Sequence, residues 1–257
     1  MECPNPECGR NKFFYNPYRE KGHCKVCGTV VSNKKRFVEA FNLTDVDDWP
    51  GLAVKPPVPK YEHSRRIEAA IPAWWNPKAR RILRKGRGFS EKVVAQSKIL
   101  YSPKTNQLVA DVTTTTEPPQ EHKLVRSADL HGKWQPIQPG MSLSDFIWGA
   151  NLVPAHRKCV IVFEGIFDVL STRTVGYGIA MLGSTIQLHK QDWLSRHFKE
   201  VILWMDPDEG GKKGLKAVRT MRGLGLEVHV VDESQGDPKY ADLTFCRELK
   251  EYCRSVT

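Results

Sequence analysis

Two short acidic clusters stand about 40 residues apart, each directly after an apolar run: Glu164-Gly165-Ile166-Phe167-Asp168 follows 159–163, and Asp206-Pro207-Asp208-Glu209-Gly210-Gly211 follows 201–205. Apolar runs of this length that end in acid and lead into helix-like stretches read as β-α units of a parallel sheet. The pattern predicts a strand over 159–163, a helix over 167–175, a strand over 179–182 ending at Gly183-Ser184, and a helix over 188–197. A strand over 201–205, a Lys- and Arg-rich helix over 212–222 and a strand over 227–231 complete it. The expected result is a small parallel sheet with helices on both faces. Its acids fall where strands of an open α/β sheet end, which is where such sheets build their sites.

Carboxylates at adjacent strand ends repel one another unless a positive charge lies between them, so Glu164, Asp206 and Asp208 together predict divalent cations. Hard oxygen ligands with no histidine nearby point to magnesium or manganese. A single Asp-x-Asp is most often a solvated turn or a helix N-cap; Glu164-Gly165 at the end of the preceding unit weighs against that reading here.

A second signal opens the chain. Cys3 and Cys8, then Cys24 and Cys27, form two cysteine knuckles separated by 15 residues. Thiolates at this spacing can converge on one tetrahedral zinc, with glycine after the second cysteine of each knuckle to turn the backbone under the metal. The wider first gap makes that knuckle the looser one. The alternatives are a disulfide pair or four unrelated thiols. Met-Glu-Cys-Pro at the start has no apolar core of a signal peptide, so a reducing cytosol is expected and disulfides are disfavoured. His23 can replace one ligand or simply be a solvated neighbour. Cys159, Cys246 and Cys253 are expected to act as buried or half-buried apolar residues.

At 257 residues and 40% hydrophobic content the chain suits one sizeable core plus a small module that metal must stabilise. No apolar run is long enough to predict a membrane span. The net charge of +10 is unevenly placed: residues 61–98 carry ten bases against three acids, whereas 99–257 balance at 19 each. A basic stretch ahead of an acidic site suits a nucleic-acid enzyme, since Lys and Arg hold phosphates while metals handle the chemistry. Arg80, Arg81, Arg84, Lys85 and Arg87 are the candidate DNA contacts. Trp74-Trp75 just before them can stack unpaired bases. An ordinary helix over 78–85, with Ile82 and Leu83 inward and at least one Trp ring in the core, is the alternative. Between the cysteine module and this stretch lies a segment with Pro50, Pro56, Pro57 and Pro59, read as a semi-stiff spacer.

The stretch 158–243 resembles the Toprim domain, shared by DnaG-type bacterial and phage primases, topoisomerases, RecR recombination mediators and some nucleases. Glu164-Gly165-Ile166-Phe167-Asp168-Val169 is similar to the Glu-Gly-x-x-Asp-Val of the primases, and Leu182-Gly183-Ser184 stands in place of their Leu-Gly-Thr. Asp206 to Gly214 resembles the primase turn of acids, small residue, glycine and base. Gly236-Asp237-Pro238-Lys239 resembles the late Asp-Pro element, which makes Asp237 a further metal ligand; its usual second acid is replaced by Lys239-Tyr240. Upstream, Gly86-Arg87-Gly88-Phe89-Ser90, with Ser90 as the N-cap of a second helix, and predicted strands over 98–101, 107–112 and 122–126 are similar to the start of the phage primase polymerase domain. Phe146-Ile147-Trp148-Gly149 resembles the primase Leu-Tyr-Gly element, a brace between subdomains.

The resemblance implies an α/β chain in four parts. These are a β-rich zinc ribbon over 1–43 that reads the template, a Pro-rich linker over 44–65, a basic, mixed α+β subdomain of an RNA polymerase domain over 66–153, and a Toprim catalytic subdomain over 154–257. It implies a primase that makes short RNA primers on single-stranded DNA from ribonucleoside triphosphates. Asp206 and Asp208 would hold the metals, and Glu164 would complete the site or manage proton transfer. Lys123, Arg126, Lys133, Lys212 and Lys213 are candidates to offset nucleotide phosphate. With no phosphate-cradling helicase loop in the sequence, a replicative helicase acting in trans is expected. The location would be cytoplasmic, the host's cytoplasm if phage encoded. A Toprim nuclease or a non-catalytic RecR-like mediator are the competing readings; a topoisomerase would need a nucleophilic Tyr in a further domain.

Overall fold

Strand Cys159–Phe163 is buried along its whole length, and its alternating side chains face two different cores. That single strand explains the architecture of the larger part of the chain. A computed structural model describes residues 3, 7–8, 13–16, 21–24, 27, 30–31, 67, 69–129, 132–138 and 140–256. They fall into two units, Met1–Pro57 and Val58–Thr257, each considered by itself. The expected linker, 44–65, lies outside the described residues.

In the first unit, β1 (Phe13–Asn16) pairs antiparallel with β2 (Lys21–Cys24), and β2 pairs antiparallel with β3 (Val30–Val31). The module is β-rich, as expected of a zinc ribbon.

The second unit is built on one ten-stranded sheet. Its antiparallel half contains β4 (Ile71–Pro72), β5 (Leu100–Ser102), β6 (Gln107–Thr114), β7 (Glu121–Ser127), β8 (Gln135–Pro136) and β9 (Phe146–Trp148). Its parallel half contains β10 (Cys159–Phe163), β11 (Gly178–Ala180), β12 (Glu200–Leu203) and β13 (Glu227–Val230). The order runs β13-β12-β10-β11-β9-β6-β5-β4, with β7 on the other edge of β6 and β8 beyond it. Strand β9 is the joint: Trp148 pairs with Ala180 on one side and Val112 on the other, and all three β9 residues are buried. The element expected only as an apolar brace thus makes the two halves one sheet.

Seven helices are described in this unit: α1 (Pro77–Arg87), α2 (Glu91–Ser97), α3 (Ile166–Ser171), α4 (Leu188–His197), α5 (Glu209–Leu215), α6 (Val218–Gly223) and α7 (Leu243–Ser255). Period-2 alternation along β10 separates the layers. Cys159, Ile161 and Phe163 pack with Phe167, Leu170, Cys246 and Cys253 from α3 and α7. Val160 and Val162 pack with Trp193, Leu194 and Met221 from α4 and α6. The sheet is therefore covered on both faces, and the three core cysteines are buried apolar residues as expected.

Local chemistry sets the ends of α1. The Asn76 side chain accepts from the N–H groups of Lys78 and Ala79 at 2.9 and 3.1 Å, Pro77 fills the first turn, and Gly88 closes the helix at φ 71°. Ser90 caps α2 through Val93. Of the tryptophan pair, Trp74 packs against the core and Trp75 is 76% exposed. The single helix expected over 212–222 is two helices. Around Lys216-Ala217 the N–H groups bond three residues back, to Lys213 and Gly214, so the turn tightens and the axis changes.

Candidate functional site

The acids reach their places through short turns that leave strands β10 and β12. Gly165 follows Glu164 and lets Asp168, in the first turn of α3, fold back so that the Gly165 N–H donates to Asp168 Oδ2 at 2.8 Å. A Cβ on residue 165 would stand 2.9 Å from that oxygen. After β12, the backbone turns so tightly that a Cβ on residue 211 would lie 1.9 Å from the Asp206 carbonyl oxygen, so only glycine fits. Asp208 caps α5, its Oδ1 accepting from the Gly211 N–H at 2.9 Å. Asp237 caps the next turn, its Oδ1 accepting from the Lys239 N–H at 2.7 Å.

Asp168, Asp206 and Asp237 each offer a carboxylate oxygen within 4.8 Å of the others. Glu164 stands beside them, with Oε1 buried and no hydrogen-bond partner. Burial pushes the Glu164 carboxyl up to about 7, and the charges of Asp206, Asp208 and Asp168 add to this, opposed by a hydrogen bond from the Asp206 backbone. Asp168 is likewise pushed up to about 7, by burial first and then by Asp206. Asp206 is raised by burial, then by Asp237 and Asp208. Partly buried carboxylates that repel one another, with no Lys or Arg ion pair among the described residues to neutralise them, are the donor set a hard divalent cation takes, so magnesium or manganese fits these residues.

The grouping differs from the one the sequence predicts. Asp206 and Asp237 are brought together, and the third member is Asp168, to which the sequence alone assigns no role. The signal is nonetheless there: Asp168 lies four residues after Glu164 in the same motif, one helical turn away, and its side chain returns to the Gly165 N–H. Asp208 spends Oδ1 on its cap and is exposed.

The candidate cations fall into three groups, with Lys123 and Lys133 outside them. Arg87, at the end of α1, and Arg126, on β7, both lie over the Phe167 ring, 5.0 and 4.8 Å from its centroid, immediately before Asp168. Phe89 and Trp134 pack on the same ring at 5.6 and 5.8 Å. Burial, and next the Arg87 charge, lower Arg126 from the ordinary arginine value. Arg80, Arg81, Arg84 and Lys85 stand exposed along α1, whose buried face is Ala79 and Leu83. Lys212 borders the same small pocket as Asp206, and Lys213 is exposed beside it on α5. Lys123 is on the opposite parity of β7 from Arg126 and pairs with Asp111 on β6 at 2.5 Å, so it is not brought to the acids. Lys133 is exposed.

Behind Glu164, Leu182 adopts φ 61°, a conformation uncommon for a bulky residue, and its N–H donates to the Glu164 carbonyl at 2.8 Å. Lys190, wholly buried on α4, donates to the neighbouring Met181 carbonyl at 2.5 Å. The Leu182-Gly183-Ser184 turn is thereby held against the acid-bearing strand end.

In the first unit, Cys3, Cys8, Cys24 and Cys27 converge. Sγ atoms of Cys3 and Cys27 are 3.5 Å apart and those of Cys8 and Cys24 are 3.7 Å apart. Sulfurs bound at about 2.3 Å to one tetrahedral zinc are about 3.8 Å apart, so the four thiols fit that ion.

The family model for the Toprim domain matches residues 158–232. The primase from Aquifex aeolicus, in a structure of its zinc-binding and RNA polymerase domains, is similar at TM-score 0.57 and 16% identity, covering 99% of this chain and 78% of that one. A DnaG primase catalytic domain bound to single-stranded DNA gives TM-score 0.55 at 16% identity over 76% of this chain and 77% of that one. A DNA primase domain from Pseudomonas aeruginosa gives 0.50 at 14% identity, over 75% and 78%. No curated protein sequence matches the chain. The fold is that of the DnaG-type primases. Among the described residues no helix is long and apolar enough to cross a membrane.

Proposed function

We propose that this protein is a DNA primase that joins ribonucleotides on a single-stranded DNA template. One observation carries the reading. Three carboxylates converge at the ends of parallel strands, and the two guanidiniums stacked on Phe167 stand next to one of them. Acids for cations and arginines for phosphate, side by side in a fold shared with primases, suit phosphoryl transfer from a nucleoside triphosphate.

Asp168, Asp206 and Asp237 would hold the divalent ions. Bound there, such ions neutralise charge on the triphosphate and the attacking oxygen. Arg87 and Arg126 hold the phosphates in a fixed orientation, since their planar forks are already positioned by Phe167. Glu164 lies outside the three-aspartate group and keeps Oε1 free, which suits it to take the proton from the attacking 3′-hydroxyl. The hydroxyl oxygen bonds to the α-phosphorus as the bond to pyrophosphate breaks. Exposed Trp75 and the cations of α1 offer a stacking ring and phosphate contacts to the template strand. The cysteine module, with zinc, would help to read the template. A helicase partner in trans and the domain limits 1–43, 44–65, 66–153 and 154–257 belong to the same proposal.

The test is to incubate the protein with single-stranded DNA, magnesium and labelled ribonucleotides. Short RNA products are expected. DNA fragments would show a nuclease, and DNA binding with no product would show a mediator; either result overturns the primase reading.

A further inference from the structure

At the opposite end of the parallel strands from the aspartates, a second group of donors has no part in the proposed chemistry. Strand β12 begins at Glu200 and β13 at Glu227, and the two residues are paired in register, so their side chains share a face. His229, two residues further along β13, lies on that face as well. Its Nε2 is 3.5 Å from Glu200 Oε2 and 3.3 Å from Glu227 Oε1. From α7, the Tyr252 hydroxyl donates to Glu200 Oε2 at 2.7 Å, and the Tyr252 ring meets the imidazole edge-on at 5.9 Å.

The spacing is informative. An N–H···O bond settles at about 2.9 Å, and both imidazole–carboxylate separations are longer. Donors bound at about 2.0–2.1 Å to one tetrahedral ion are about 3.3–3.4 Å apart, close to the two separations here. The three ligand atoms all lie within 4.8 Å of one another. We propose that Glu200, Glu227 and His229 form a second transition-metal site that takes zinc, with one coordination position left to water. An imidazole nitrogen with two carboxylates selects zinc over magnesium or calcium, and the two negative charges neutralise the ion. Tyr252 is the outer partner that orients the Glu200 carboxylate, as ligands in metal sites are commonly oriented. Since Tyr252 sits one residue before Cys253, which is buried against β10, the site ties α7, β12 and β13 together where the strands begin.

The experiment uses the whole chain, saturated with magnesium so that the aspartate group is occupied, and equilibrated with low-micromolar zinc. With the cysteine site filled beforehand in both proteins, the wild type is expected to hold one more zinc per chain than His229→Ala, and further zinc is expected to raise its melting temperature by a few degrees while leaving that of the variant unchanged. Glu227→Gln, at a largely exposed position, gives the same loss with less risk to folding. With cobalt in place of zinc, the absorption lost in either variant lacks the sulfur-to-metal charge-transfer band of the cysteine site. Equal zinc content in wild type and both variants, or an equal thermal response, would overturn the proposal.

Discussion

In the parallel half of the sheet, Glu164, Asp168, Asp206 and Asp237 are partly buried and crowd one another, and Asp168 and Asp237 are held by backbone N–H groups rather than by ion pairs with Lys or Arg. In the antiparallel half, the basic residues of α1 stand on an exposed face over a small apolar footing of Ala79 and Leu83. The first arrangement is costly to fold and fixes its atoms closely; the second costs little and fixes little. Chemistry on a phosphorus atom needs the first kind of site, and retention of a long polyanion is served by the second. Phe167 joins them, since Arg87 and Arg126 come from the basic half to lie on a ring that belongs to the acidic one.

The largest effect expected from this contrast is on nucleotide joining. Asp206→Asn keeps the shape of a central ligand and removes its charge, so activity in magnesium should fall by about a thousandfold or more, while the fold and the affinity for single-stranded DNA survive. Primer synthesis assayed beside a DNA-binding isotherm separates the two readouts. Near wild-type synthesis by this variant would show that the acidic half is not the reactive one.

A smaller effect concerns stability. Glu164 and Asp168 have folded values of about 7, above the ordinary carboxylate values near about 4. The folded, metal-free protein therefore binds more protons than the unfolded chain across that interval. The contribution of these two groups to stability is fully present below about pH 4 and is lost as pH rises through about 7. Glu164 and Asp168 are only partly buried and the acids share one repulsion, so the combined loss is about 2–4 kcal/mol rather than the full value of each shift. Denaturant midpoints measured in chelator at pH 5 and pH 8 should show it, and Asp206→Asn should flatten the difference. Stability that is level or rising between those pH values would mean that the acids are neither buried nor crowded as described.

The same contrast explains what can be read from the sequence. Strands buried on both faces appear as unbroken apolar runs, so 159–163 coincides with β10, and helix 188–197 coincides with α4. Glu164 and Asp206 are legible because an acid that ends such a run marks the point where a buried strand leaves the core. Asp168 is not, because an acid in the first turn of a helix is ordinary and only the folded backbone shows its oxygen returning to Gly165. Strand β9 reads as an apolar brace, since three residues are too few for a period. The pairing of Lys123 with Asp111 depends on the β6-β7 register, which connects residues twelve apart in a way no local pattern reveals. The break between α5 and α6 arises from tight turns at Gly214 and Lys216-Ala217, where the lysine-rich sequence gives no stop signal.

The smallest expected effect belongs to the basic half and tests whether its exposed charge has a partner. Arg80, Arg81 and Arg84 are exposed on α1, away from its buried Ala79 and Leu83, and Arg87 is left out because it is stacked on Phe167. Replacing the three with glutamine keeps the helix, since glutamine and arginine have similar helix propensity. If a single strand tracks this face, each lost phosphate contact lowers the slope of log K against log salt by about 0.7 to 1. The binding change should be about equal on templates of different sequence, because phosphate contacts carry no base information. A slope identical to wild type would mean that these three arginines only solvate the helix and that the strand does not track this face of α1.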